Sequence, residues 1–125
     1  MSSALIVEDD VESAHILEQM LQMNGAAATV ALNSAQVMAN VDQLGSYDVV
    51  FLDLEMPDYT GYDVFNEIQR HPHLSQLRVI AYSIYSNEMA NARSMGFGGF
   101  MTKPLDIDGF GSLWQRIIAG ETVWA

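Results

Sequence analysis

Short apolar runs recur along this chain, and each is followed by apolar residues at helical spacing. The runs are residues 4–7, 27–32, 47–52, 77–82 and 99–102. Runs this short, apolar at consecutive positions, suit strands buried on both faces, as in parallel sheets. Parallel strands require crossovers, and the segments between the runs supply helices. Ala14, Leu17 and Leu21 make a first stripe that stops at Asn24-Gly25. Val37, Val41 and Leu44 make a second, with Ser34 as its N-cap and Gly45 at its end. A third carries Val64, Phe65 and Ile68 and stops before Pro72. Residues 87–95 form a fourth, and Phe110, Leu113, Trp114, Ile117 and Ile118 a fifth. The expected fold is a single α/β domain, a doubly wound (βα)5 unit over residues 1–125 with no linker and no output domain.

Three of the runs end on charge. The first meets Glu8-Asp9-Asp10, the third Asp53, and the fifth Lys103-Pro104, which holds the only lysine. Ligands of open α/β sheets bind outside the carboxyl ends of the strands. If the three runs share one sheet, several carboxylates and one ammonium converge on a point. Carboxylates packed that closely repel one another and need a cation, which suits a metal and phosphate site.

Composition narrows the partners. Sixteen acids against five bases give a formal net charge of −11. That opposes non-specific binding to nucleic acid or anionic membrane. There is no cysteine, hence neither a disulfide framework nor a thiolate metal site. No leader-like or bilayer-length apolar stretch is evident, so a soluble, cytoplasmic chain with a natural start at Met1 is expected.

The sequence resembles the receiver domain of two-component response regulators over essentially its whole length. The resemblance rests on residues 5–10, residues 48–57, Gly61-Tyr62, residues 79–83 and residues 99–104, all in order. It implies a five-stranded parallel sheet of order 2-1-3-4-5. It also implies that Asp53 is the phosphoacceptor, taking a phosphoryl group from a phosphohistidine on a histidine kinase or histidine phosphotransfer protein. Glu8, Asp9, Asp53 and the backbone carbonyl of Glu55 would hold Mg2+. Lys103 would neutralise charge, Ser83 would bond a phosphoryl oxygen, and Phe100 would stand at the switch aromatic. Such a domain is not an enzyme, although it assists its own phosphorylation and dephosphorylation. It would meet a downstream protein through the face of the fourth helix, fifth strand and fifth helix. Direct contact with nucleic acid or membrane is not expected, and the state implied is a monomer or weak homodimer.

Each residue also has a plainer explanation. Asp53 could cap a turn, Glu8 to Asp10 could be a solvated helix start, and Ser83 a turn residue. Asp10 is the expected solvated member, and Phe100 could be core. His15, His71 and His73 read as surface or cap residues, and His71-Pro72-His73 lacks the sequence spacing of a metal site. Met20 and Met23 read as core filler. Trp124 is expected to pack on the domain or on a partner. Ile84 departs from the small residue usual in the family and could narrow access to Asp53, with Tyr85 beside it; Thr60 stands where Asp or Asn is common. Glu55 and Tyr85 fall where the family tunes dephosphorylation.

Other functions fit less well. An aspartate-nucleophile phosphohydrolase would carry its Asp-x-Asp on the first strand and its acidic pair late. A flavodoxin-like carrier would need a phosphate cradle where Glu8-Asp9-Asp10 would repel phosphate. A receiver-like interaction module that works without phosphorylation, and a phosphorelay intermediate, remain as alternatives.

Overall fold

In the computed structural model, which describes residues 2–125, the apolar runs become strands and the stripes become helices. The chain runs β1 (Ser3–Val7), α1 (Val11–Met23), β2 (Ala27–Ala31), α2 (Ser34–Ala39), β3 (Val49–Asp53) and α3 (Gly61–Gln69). It continues through β4 (Arg78–Ser83), α4 (Met89–Met95), β5 (Gly99–Thr102), α5 (Ile107–Ile118) and β6 (Val123–Trp124). All strands are parallel, in the order β2-β1-β3-β4-β5-β6. The direction of winding reverses between β1 and β3, so a crevice opens where these strands end. Glu8 and Asp9 follow β1 and Asp53 ends β3; the fold thus brings the acids to one crevice.

Strand alternation divides the core between two layers. Leu5, Val7, Val50, Leu52, Ala81 and Phe100 face α2, α3 and α4. Ile6, Phe51, Ile80, Tyr82 and Met101 face α1 and α5, where Phe110, Trp114 and Ile117 pack on them. Phe51 lies 6.3 Å from Trp114 between ring centroids, and Phe65 stacks on Phe97 at 4.0 Å. Burying such rings contributes on the order of 2–3 kcal/mol each, enough to fix the strand ends that carry the charged groups.

The sheet holds one strand beyond the expected five. β6 pairs with β5, Gly99 opposite Val123 and Phe100 opposite Trp124. A Cβ at position 99 would stand 2.9 Å from the Val123 carbonyl oxygen, so the close approach needs glycine. Two residues are too few to show a periodicity, which is why β6 is silent in the sequence. Trp124 is half-buried, with the Arg93 guanidinium 4.4 Å over its ring, tying α4 to β6. Arg78 also reaches the end of α5, donating to the carbonyls of Ile117 (2.6 Å) and Glu121.

The second helical stripe is not one helix. α2 ends at Ala39 and a 3-10 turn follows at Val41–Ser46, with Val37, Val41 and Leu44 buried across both. Asn40 closes α2, its side chain donating to the Gln36 carbonyl at 2.9 Å. The N-cap is Asn33 rather than Ser34, accepting from the Ala35 N–H at 2.7 Å. Ser34 is buried instead, donating to the Pro57 carbonyl at 3.0 Å. β3 begins two residues later than expected because the Asp48 carboxylate is engaged by the Ser3 N–H at 2.8 Å. β4 likewise starts one residue late and takes in Ser83, and a 3-10 turn at Ser86–Glu88 precedes a shorter α4. Met20 is buried, but Met23 is 73% exposed at the end of α1 and fills no core.

Gly61 opens α3 against the backbone of β3. A Cβ there would lie 2.3 Å from the Asp53 carbonyl oxygen and 2.8 Å from Leu54 Cα. The Gly61→Ala protein should therefore lose about 1–3 kcal/mol of stability in urea unfolding. An unchanged midpoint would contradict this close approach.

Candidate functional site

Each charged group of the crevice is set by the end of a strand. Glu8 follows β1 and is 1% exposed, whereas Asp53 ends β3 at 2%. Lys103 follows β5, and its bond to Pro104 is a cis peptide. The Lys103 ammonium lies 2.5 Å from Glu8 Oε2 and 3.3 Å from Asp53 Oδ1. It also sits 4.4 Å over the ring of Tyr82. Oxygens of Glu8, Asp9 and Asp53 lie within 4.8 Å of one another. Asp9 is exposed on the rim. Asp10, also exposed, turns away to cap α1, its carboxylate accepting from the Ser13 N–H at 3.1 Å.

One ammonium cannot balance two buried carboxylates. Burial pushes Asp53 up to about 8, with Glu8 adding to the rise and Lys103 opposing it. Burial acts on Glu8 in the same sense. Its hydrogen bonds with Asp53, Lys103 and the Asp10 N–H outweigh that and hold it below the usual range. Asp9 is raised, by desolvation first and then by Glu8. Burial works against the charge on Lys103, but Glu8 and Asp53 outweigh it and raise the ammonium above its ordinary value. The pair Glu8–Asp53 thus keeps a proton at neutral pH, on Asp53. A hard divalent cation would replace that proton: the donors are all oxygens, and exposed Asp9 leaves one side open to solvent.

Ser83, fully buried at the end of β4, has its hydroxyl 2.6 Å from Glu55 Oε1 and 2.8 Å from Glu88 Oε2. It also accepts from the Tyr85 N–H at 2.9 Å. A hydroxyl has one proton, so bonding two carboxyl groups requires a second proton on one of them. Glu55, pushed up to about 7 by burial and then by Glu88, is the group that carries it. The Tyr62 hydroxyl donates to Glu88 Oε1 at 3.1 Å, so the chain of contacts joins Ser83 to α3 and to the turn before α4. The side chain of Glu55 belongs to this group, while its N–H donates to Asp53 Oδ1 at 3.3 Å.

The structure therefore brings together Glu8, Asp9, Asp53, Lys103, Ser83 and Glu55. Phe100 is placed apart, fully buried in the apolar layer against α3 and α4. Ile84 is 60% exposed and lines a cavity of ≈ 230 Å³ with Ser13, Ile16, Pro104 and Lys103, so it flanks the crevice without covering it. Sequence reasoning missed Tyr82 and Glu88. Tyr82 sits on a strand like any core aromatic, and Glu88 looks like one more surface acid; only the folded geometry puts both beside the site. His15 and His73 lie at the surface and His71 caps the 3-10 turn at Pro72–Leu74, as expected. His71 and His73, which lack the spacing of a metal site in sequence, stand with Asp42 in a cluster whose ligand atoms lie within 4.8 Å.

The family model for the response regulator receiver domain matches residues 4–113. The chain belongs to this family, whose members are phosphoacceptor signalling domains rather than conventional enzymes. It is similar to the transcriptional regulatory protein KdpE of Staphylococcus aureus, 31% identical over 109 residues, 86% of this chain and 46% of that protein. It is also similar to hybrid signal transduction histidine kinase L of Dictyostelium discoideum, 29% identical over 84% of this chain and 7% of that one. The chain thus spans less than half the length of either relative. Among solved structures, a CheY-like receiver domain from Methylobacillus flagellatus is 27% identical with a TM-score of 0.80, covering 94% of this chain and 98% of that one. The response regulator TrrA of Thermotoga maritima, solved in complex with Mg2+-BeF, shares the fold at 24% identity and a TM-score of 0.78, covering 96% of this chain and 99% of that one. No helix among the described residues is long and apolar enough to cross a membrane.

Two outcomes follow from the charge surplus and its neighbour Tyr82. In the unfolded chain Asp53 ionises near its ordinary value of 3.8; in the folded one it holds its proton to about 8. Stability of the chelator-treated protein should therefore fall as pH rises between these values. Asp53→Asn should flatten that slope, leaving the part that Glu55 contributes below about 7, and melt several degrees higher at pH 8, in thermal unfolding. An unchanged slope would show that Asp53 is not the strained carboxylate. The Tyr82 hydroxyl is buried with no hydrogen-bond partner among the described residues. Tyr82→Phe keeps the ring beneath Lys103 and should stabilise the fold by about 1 kcal/mol in urea unfolding. A loss of stability would reveal a partner for the hydroxyl.

Proposed function

We propose that this chain is a cytoplasmic receiver that accepts one phosphoryl group on Asp53 and changes its protein contacts as a result. The observation that carries the proposal is the convergence of Asp53 with Glu8, Asp9 and Lys103 at the switch point of the sheet. The donor would be a phosphohistidine of a histidine kinase or histidine phosphotransfer protein. A carboxylate oxygen of Asp53 forms a bond to phosphorus as the bond from phosphorus to imidazole nitrogen breaks, leaving an acyl phosphate and a free imidazole. Glu8, Asp9, Asp53 and the Glu55 carbonyl would hold Mg2+. Bound there, the ion supplies positive charge against which an anionic phosphoryl group can meet a carboxylate. Lys103 contributes a second positive charge from the other side, at no cost in reorganisation because two carboxylates already orient it. The apolar rim of Ile16, Ile84, Pro104 and Leu105 beside Lys103 suits docking of an apolar surface of the donor protein.

Ser83 links the acceptor to the surface. A phosphoryl oxygen on Asp53 would compete with Glu88 for its single proton, and the added negative charge would repel the Glu88 carboxylate. Release of Glu88 would loosen the turn at Ser86–Glu88 and the start of α4. Phe100 has no hydroxyl with which to report the change, so Tyr62, bonded to Glu88, is the aromatic that would feel it. The face of α4, β5 and α5 would then meet the downstream partner.

Incubation with Mg2+ and a small phosphodonor should add one phosphoryl mass, absent from Asp53→Asn. Hydrogen exchange in the phosphorylated protein should rise across residues 84–95. Retention of the added mass in Asp53→Asn would move the acceptor, and a wild type that takes up no phosphoryl would favour an interaction module that works without it.

A further inference from the structure

The opposite end of the sheet holds a cluster that the phosphoacceptor chemistry does not use. Asp42 lies in the 3-10 turn before β3, and His71 and His73 flank Pro72 at the 3-10 turn before β4. Both turns precede strands whose far ends form the acidic crevice, so the length of β3 separates the two places. His71 Nδ1 stands 3.2 Å from Asp42 Oδ1, and His73 Nε2 stands 3.7 Å from the same oxygen. We propose that Asp42, His71 and His73 form a second cation site, for a divalent transition ion of the Zn2+ type.

The spacing suits coordination. Nitrogen and oxygen ligands about 2.0–2.1 Å from a tetrahedral ion lie about 3.3 Å from each other. The two separations at Asp42 Oδ1 bracket that edge, and all three ligand atoms fall within 4.8 Å of one another. Two imidazoles and a carboxylate form a borderline-soft donor set that favours Zn2+, Co2+, Ni2+ or Cu2+ over Mg2+. The all-oxygen crevice around Asp53 has the reverse preference.

An independent observation concerns the other nitrogen of His71. Its Nε2 lies 3.1 Å from Glu67 Oε2, so both ring nitrogens face carboxylate oxygens. A neutral imidazole has one N–H and can satisfy only one of these contacts as donor. With Nε2–H donated to Glu67, Nδ1 faces Asp42 with its lone pair, and either a second proton or a metal ion between them satisfies both groups. A carboxylate behind a ligating histidine is the usual means of fixing its tautomer and ring plane. Glu67 is itself held by Arg70 at 3.5 Å. The two turns are also locked together beneath the cluster: Leu74 is buried, and a Cβ at Gly45 would stand 3.3 Å from its Cδ2. Pro72 fixes the backbone between the histidines. Asp42 and His73 are exposed, so the fourth position opens to water or to a side chain of another molecule.

The test is a Zn2+ titration of the whole chain against a chromophoric chelator, in millimolar Mg2+ to block the acidic crevice. One equivalent should bind, and Co2+ in its place should give visible absorption of a low-coordinate ion. The His71 and His73 imidazole signals should shift while those of His15 stay put. His73→Ala and Asp42→Ala, both at exposed positions, should each weaken Zn2+ at least about tenfold, and Glu67→Gln about tenfold. Binding should persist in Asp53→Asn. Equal affinity in His73→Ala and wild type would overturn the proposal, as would binding lost in Asp53→Asn, which would put the ion in the crevice. Failure of the wild type to bind under these conditions would also overturn it, reducing the cluster to surface ion pairs.

Discussion

Two buried carboxylates share one ammonium in this protein, and much of the remaining architecture holds that imbalance in place. Glu8, Asp53 and Lys103 come from the ends of three strands, so their separation is fixed by strand pairing rather than by flexible loops. A parallel sheet buried on both faces gives those ends little freedom, because any shift must move a packed layer of Val, Ile and Phe side chains. The surplus charge is tolerated by retaining a proton on Asp53, whose acidity burial has already weakened. A carboxylate in that state is poised for a cation. The apolar strands thus create the electrostatic condition that the crevice answers.

Around this centre, the second group of acids serves a different purpose. Ser83 is held by Glu55 from the loop after β3 and by Glu88 from the turn before α4. The contact to Tyr62 extends it onto α3, and Tyr62 meets Phe97 edge-on at 6.1 Å. Hydrogen bonds and aromatic contacts therefore run continuously from the strand ends to the layer beneath α4. Phe100, the aromatic on β5, packs in that layer with no polar handle. On the far side of α4, Arg93 over Trp124 fastens the helix to β6. The helix is short, held at one end by an acid that competes for a hydroxyl and along its flank by a cation over a ring. An element held by a few polar contacts is more readily shifted than one packed by a wide apolar face.

The sequence by itself determined the fold class and most of the crevice. Consecutive apolar residues in runs of a strand's length leave no exposed face, so parallel strands and covering helices follow from burial alone. The charged residues that end those runs then had to gather at the strand ends, and Glu8, Asp9, Asp53 and Lys103 were legible for that reason. Tertiary structure decided what has no periodic signal. β6 is two residues long and exists only because Gly99 lets it approach. The break at Asn40 depends on a side chain turning back onto its own helix. Glu88 and Tyr82 enter the site from positions that resemble surface and core in sequence. The meeting of Asp42 with His71 and His73 is of the same kind: residues about thirty apart are joined because two turns pack on Leu74. Local patterns record which residues leave water, because burial acts on every residue singly. Which polar groups then meet is set by how the buried faces stack, a property that only the whole chain possesses.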